Sequence, residues 1–235
     1  MSDKRVLIIV PALNESRAIG KLIEEIRAIH PSFVPLVIDD GSRDNTSEEA
    51  AKAGARVVSL PYNLGIGGAV QTGYKIAARE GYDATVQIDG DAQHDPRYLE
   101  KILEPVLDGR LDMCIGSRFL TMDTGFKSTF TRRIGIRFFS LLLKLLTGVP
   151  LTDPTSGFRA TGKKLIPHFA AYYPVDFPEP EAIQMAKRLG ARIGEVPVKM
   201  RKRLGGISSI RFAKTLYYMI KVTLAILIDT MKRKQ

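Results

Sequence analysis

The chain has a single cysteine and no hydrophobic run of bilayer length. Cys114 stands in the apolar stretch Met113-Cys114-Ile115 and cannot close an internal disulfide, so it reads as a buried core thiol with no zinc or redox role. In the C-terminal tail the longest uncharged run, Val222 to Ile228, has seven residues. A spanning helix needs roughly twenty. The N-terminus, Met1-Ser2-Asp3-Lys4-Arg5, passes straight into a β-branched run of five residues, too short for a signal peptide, and an intracellular protein is expected. Two nucleotide signatures are also missing. Gly65-Ile66-Gly67-Gly68 lacks the full dinucleotide fingerprint, and it lacks the Lys-Ser/Thr of a P-loop.

What is present suits one well-buried core: 235 residues with 45% hydrophobic content. The net charge of +10 is uneven. Residues 1–100 hold 11 basic and 15 acidic side chains, a balance of −4, whereas residues 101–235 hold 24 and 10, a balance of +14. A basic half suits nucleic acid, an anionic membrane surface or phosphate-bearing ligands, and charge does not choose among them.

Strand and helix patterns alternate through the first half. Val6 to Val10 is a continuous apolar run, the mark of a strand covered on both faces, and Arg17 to Ile29 carries Ile19, Leu22, Ile23 and Ile26 at helical spacing. Val34 to Ile38 reads as a second strand, Ala55 to Leu60 as a third, and Ala84 to Ile88 as a fourth. Helices are expected after Asp44-Asn45-Thr46 and from Gly67 to Glu80. This alternation predicts an α/β fold with a mostly parallel central sheet, helices covering both faces. Ligands of such sheets bind beyond the carboxyl ends of the strands. Those ends carry Pro11-Ala12-Leu13-Asn14-Glu15, Asp39-Asp40-Gly41-Ser42, Asn63-Leu64-Gly65 and Asp89-Gly90-Asp91-Ala92-Gln93-His94. Each alone has a plainer reading as a cap or turn. Two Asp around one small residue can turn toward one point, and their oxygens suit Mg²⁺ or Mn²⁺ carrying a diphosphate.

Together, in this order and spacing, the four motifs resemble the inverting family 2 glycosyltransferases of GT-A fold. Similarity is greatest to the branch of dolichol-phosphate mannose synthase and bacterial polyprenyl-phosphate sugar transferases. The resemblance runs from residue 5 to about 210. It implies that Pro11, Leu13, Glu15 and Asp40 surround the base and ribose of a nucleoside diphosphate sugar, and that Gly67 and Gly68 let a helix start approach it. Asp89 would contact ribose or metal, and Asp91 and Gln93 would complete a Mg²⁺ or Mn²⁺ site. His94 reads as a turn neighbour of this site. Arg118, in Gly116-Ser117-Arg118, matches a family motif after a fifth strand, and Arg203, with Gly206 and Ser208, matches a segment that closes over the donor. Arg132, Arg133 and Arg159 are further cations for phosphate. Asp153-Pro154-Thr155-Ser156-Gly157-Phe158-Arg159 resembles an acceptor-side loop, with Asp153, Ser156 and Arg159 as acceptor contacts beside Arg118 and Arg132. Phe177-Pro178-Glu179-Pro180-Glu181 opens a helix; relatives that glycosylate a sugar hydroxyl place a general base near here, Glu181 or Glu179 in this chain. The two prolines depart from the family's pattern. With Glu181, the residues expected to carry the chemistry are Asp91, Arg118 and Arg203.

Two stretches, Arg132–Thr147 and Arg211–Lys232, read as apolar helices with a narrow basic stripe. The division expected is a GT-A domain over 1–210, its nucleotide-sugar half at 1–120 and its acceptor half at 121–210, followed by a basic amphipathic helix over 211–235. That helix could pack on the core, lie on an anionic membrane surface or pair with a second copy in a homo-oligomer. Nucleic acid is the weaker partner, because Leu- and Ile-rich helices lack an aromatic stacking platform. The resulting expectation is a cytoplasmic enzyme, peripheral at the inner face of the membrane, moving a sugar to a polyprenyl phosphate. The alternatives are transfer to a sugar hydroxyl in cell-surface polysaccharide assembly, or a non-catalytic nucleotide-sugar-binding protein.

Overall fold

The computed structural model describes residues 4–120, 130–176, 178–201, 221 and 223–224. In chain order the elements are β1 (Val6–Ala12), α1 (Ser16–Ile29), β2 (Val34–Asp39), α2 (Thr46–Lys52), β3 (Arg56–Ser59), α3 (Gly65–Glu80), β4 (Ala84–Gln87), a 3-10 turn (Pro96–Tyr98), α4 (Leu99–Leu107), β5 (Met113–Ser117), α5 (Phe130–Thr147), β6 (Arg159–Gly162), α6 (Ile166–Ala171), α7 (Pro178–Arg188) and β7 (Ile193–Pro197).

The period-two alternation of a strand divides β1 between two cores. Leu7 and Ile9 join α3, α5, α6 and α7 on one face, while Val6, Ile8 and Val10 join α1 and α4 on the other. Covered on both sides, the strand has no polar position to spare, hence its unbroken apolar run. α1 turns Ala18, Ile19, Leu22, Ile23 and Ile26 inward at helical spacing. α3 lies close on β1 because Gly73 has no side chain: an ideal Cβ there would be 2.5 Å from the Ile9 side chain. Cys114 is buried in β5, where burial pushes its thiol up to about 12.

Among the described residues, seven strands run in the order β3-β2-β1-β4-β6-β5-β7. All neighbours are parallel except β6, which is antiparallel to both β4 and β5. The chain builds β2 and β3 on one side of β1 and places β4 on the other, so the strand order reverses between β1 and β4. That reversal opens a crevice at their carboxyl ends. There Gly90 donates its N–H to the Pro11 carbonyl (3.2 Å), and a Cβ on Gly90 would be 3.1 Å from the same carbonyl.

Strands β6 and β7 have no counterpart in the sequence reading. β6, Arg159-Ala160-Thr161-Gly162, has no apolar run because one of its faces carries the buried Arg159 and Thr161. β7 is a half-buried edge interrupted by Glu195. The helix expected over 211–232 and the boundary at 210 lie outside the described residues, apart from 221 and 223–224, where Lys221 pairs with Asp176.

Candidate active site

The loops after β1 and β2 are stapled to each other. Asn14, in the left-handed region at φ 55, donates its N–H to Ser42 Oγ (2.8 Å) and accepts the Arg43 N–H on Oδ1 (2.8 Å). Glu15 N–H donates to Thr46 Oγ1 (2.9 Å). Asp39 Oδ1 accepts the Ser42 N–H (2.9 Å), and its Oδ2 accepts the Ser47 hydroxyl. Asp40 ties in the third loop by accepting the Leu64 N–H (2.7 Å). Burial raises the Asp40 carboxyl above its ordinary value, against the opposing pull of the Leu64 and Gly65 N–H groups. Leu13, Tyr62 and Leu64 expose apolar side chains on these same loops. The result is a buried carboxylate flanked by loops with exposed apolar side chains at one end of the crevice.

Gly67 and Gly68 are required by packing within the chain. A Cβ on Gly67 would be 1.9 Å from the Pro174 carbonyl, and its N–H already donates to Val175 O (3.0 Å). A Cβ on Gly68 would meet Leu64 Cβ at 2.5 Å. The close approach that the glycines allow is therefore filled by backbone 174–175 and by Leu64.

At the end of β4, Asp91 is buried and accepts the Gln93 N–H on Oδ1 (3.0 Å), while Asp89 is half-exposed. His94 is occupied structurally. Its Nδ1 accepts the Asp89 N–H (3.0 Å) and its ring stacks on Phe158, so it holds the turn, as its place in the sequence suggested. The Gln93 carbonyl accepts the Arg201 N–H (2.8 Å), and the Arg201 guanidinium bonds Asp95 and Glu25. Among the described residues no three Asp, Glu, His or Cys side chains gather as a metal cage. Two carboxylates and an amide oxygen nevertheless fit a hard cation that arrives with a diphosphate and completes its octahedron with phosphate oxygens and water.

The residues expected on the acceptor side come together in a buried network. Arg118 and Asp153 form a bidentate pair, Nε to Oδ2 at 2.6 Å and Nη2 to Oδ1 at 2.7 Å, and Arg118 also donates to Thr155 Oγ1 (3.1 Å). Burial opposes the Arg118 charge, but Asp153 outweighs it and raises the guanidinium value. Glu195 of β7 accepts the N–H groups of Thr152 (2.7 Å) and Asp153 (2.8 Å), locking the loop to the sheet. Arg159 is fully buried and donates to the carbonyls of Ser156 (2.6 Å) and Glu179 (3.1 Å). Arg159 and Ser156 thus bond within the protein fabric. Arg133 is exposed on α5. The side chain of Arg132, and Arg203 with Gly206 and Ser208, lie outside the described residues.

Glu179 and Glu181 both lie in the first turn of α7. Glu179 feels Asp89 and Arg118: burial raises its carboxyl, Arg159 and Arg118 lower it, and Asp89 raises it. Arg201 and Glu195 escaped the sequence reading altogether. Their only sequence signal is a charged residue inside or just after a half-apolar strand.

A sequence model of glycosyl transferase family 2 matches residues 7–169. The chain belongs to glycosyl transferase family 2. Within this family, an uncharacterized protein of Methanocaldococcus jannaschii is 35% identical over 204 residues, 85% of this chain and 82% of that one. The UDP-N-acetylglucosamine–dolichyl-phosphate N-acetylglucosaminyltransferase of Methanococcus voltae is 30% identical over 218 residues, 85% of this chain and 86% of that one. Glucosyl-3-phosphoglycerate synthase from Mycobacterium tuberculosis, solved with Mn²⁺, UDP and phosphoglyceric acid, superposes with a TM-score of 0.73 at 23% identity, covering 97% of this chain and 79% of that one. That superposition shows the GT-A fold. The family 2 protein described here is a glycosyltransferase, and its relatives include transferases named for dolichyl and polyprenyl phosphate acceptors.

Proposed function

We propose that the enzyme moves a sugar, with inversion, from a nucleoside diphosphate to a polyprenyl phosphate, dolichyl or undecaprenyl, at a membrane surface. The observation that carries this reading is the placement of Asp89 and Asp91 at the β1/β4 crevice, beside the Asp40 slot, in a chain that spans 86% of a dolichyl-phosphate glycosyltransferase. The base would lie against Leu13 and Leu64, with Asp40 accepting an imino N–H from uracil, thymine or guanine. Asp89, Asp91 and Gln93 would hold Mg²⁺ or Mn²⁺, which supplies positive charge to the leaving diphosphate. A phosphate oxygen of the acceptor attacks the anomeric carbon as the bond to the diphosphate breaks, the electron pair leaving on the diphosphate. The acceptor is already an anion and needs no base.

A surface on α5 supports the lipid side of this reading. Phe138, Leu141 and Leu145 are exposed at 39, 59 and 74%, and Arg133, Arg137 and Lys144 are exposed or partly exposed on the same helix. Apolar and cationic side chains in that mixture suit the interface of an anionic bilayer. No described helix is long and apolar enough to cross a membrane.

One observation favours the second reading, transfer to a sugar hydroxyl. Glu179, its carboxyl raised by burial, interacts with Asp89 and could take a proton. Glu179→Gln and Glu181→Gln decide between the two. Under the phosphate-acceptor reading both variants retain nucleoside diphosphate release with polyprenyl phosphate. Loss of that release in either variant, with donor binding intact, favours the hydroxyl acceptor.

A further inference from the structure

Beneath the acid pair is a buried side chain that the reaction scheme leaves idle. Gln87 is the last residue of β4, two positions before Asp89. It stands in register with Ile9 of β1 and Arg159 of β6, and it is 1% exposed. Neither Oε1 nor Nε2 of Gln87 has a hydrogen-bond partner among the described residues. Buried amides are almost always paired, and a solitary one on a central strand calls for a reason. The reason lies at Gly157. An ideal Cβ on that glycine would be 3.1 and 3.2 Å from the two carboxylate oxygens of Asp89 and 3.2 Å from Gln87 Nε2. The donor of Gln87 and the acceptor of Asp89 thus border one gap, which any residue larger than glycine would fill.

We propose that Gln87 is a positioning residue for donor binding: in the donor-bound state its amide N–H bonds the Asp89 carboxylate across the gap at Gly157, fixing the rotamer that Asp89 presents to the diphosphate. This inference rests on the donor site proposed above. Gln87 touches neither donor nor acceptor; it acts through Asp89. A side chain serving only to fill the core would be replaced without loss by leucine of similar size, because leucine leaves no amide unpaired.

The test compares full-length wild type, Gln87→Leu and Gln87→Glu by three readouts: thermal unfolding, calorimetric binding of UDP, GDP and dTDP with Mn²⁺, and steady-state nucleoside diphosphate release. Gln87→Leu should melt at or above the wild-type temperature. It should nevertheless bind the wild type's preferred nucleoside diphosphate about ten-fold more weakly and lose about ten-fold in kcat, with KM for the acceptor unchanged. Gln87→Glu keeps the shape but sets a second carboxyl beside Asp89, and its loss should be larger. Binding and turnover of Gln87→Leu within two-fold of wild type would overturn the inference alone. A wild type that binds none of the three with Mn²⁺ would overturn the donor-site reading, and this inference with it.

Discussion

At the carboxyl end of β2, acidic side chains are held by neutral partners, Asp39 by Ser42 and Ser47 and Asp40 by the Leu64 N–H, and after β4 the Gln93 N–H helps to orient Asp91. Beyond β5 and β6 the charged groups hold one another or the backbone. Arg118 is spent on Asp153, and Arg159 on two carbonyls. A carboxylate fixed by N–H groups is oriented without being paired to a countercharge by them. A guanidinium in a buried bidentate pair is nearly neutralised, and what it supplies is shape. Among the described residues of 101–235, Arg118 and Arg159 are thus committed within the protein, while Arg133, Arg137 and Lys144 of α5 are exposed.

Substitutions on the two sides should separate stability from chemistry. The largest effect expected is on folding: Asp153→Asn leaves Arg118 buried without its countercharge and should cost about 3–5 kcal/mol in denaturant unfolding. The double variant Arg118→Met with Asp153→Leu should recover most of that loss. On the donor side, Asp91→Ala should lower nucleoside diphosphate release by about 10²–10³-fold, with an unfolding midpoint close to wild type. If Asp91→Ala instead unfolds the protein while Asp153→Asn does not, the contrast between the two regions is broken.

A smaller effect concerns pH. Burial raises the Glu195 carboxyl above its ordinary value, against the bonds from Thr152 and Asp153. A group raised in the folded state contributes its stability below the unfolded value, about pH 4.3, and loses it as pH rises through the folded value. Wild type should therefore gain stability over Glu195→Gln as pH falls from 7 toward 4, measured by parallel unfolding curves. Smallest on the fold, Leu141→Glu with Leu145→Glu should change stability by no more than about 0.5 kcal/mol per site. The same pair should weaken co-sedimentation with vesicles rich in anionic lipid. Unchanged vesicle binding would remove α5 from the proposed membrane surface.

The same contrast explains what could be read in the sequence. At the ends of β1 and β2 the expected donor-side motifs follow apolar runs and are local, so position along the chain is position in the crevice. Helix 16–29 is legible from the apolar spacing of Ile19, Leu22, Ile23 and Ile26, and the helix expected from Gly67 begins two residues earlier, at Gly65. On the acceptor side the determining contacts join residues far apart, Ser117 and Arg118 to Thr152 and Asp153, and Thr152 to Glu195. No local pattern announces such pairs, and the antiparallel insertion of β6 between β4 and β5 is equally invisible, because that strand is too polar to resemble one. Gly67 illustrates the converse. Its need for glycine was legible, but the neighbour that imposes it is backbone more than 100 residues away, at Pro174 and Val175. Gln87 left a trace, a lone amide in Ala84-Thr85-Val86-Gln87-Ile88, whose meaning appears only once Gly157 is beside it.

The central claim is that the donor site serves a phosphate acceptor. It is tested most directly by nucleoside diphosphate release in Mn²⁺, with an undecaprenyl or dolichyl phosphate compared against the same lipid lacking its phosphate. Release is expected to depend on the phosphorylated lipid and to persist in Glu179→Gln and Glu181→Gln. Equal release with an unphosphorylated sugar acceptor and none with the lipid phosphate would contradict it.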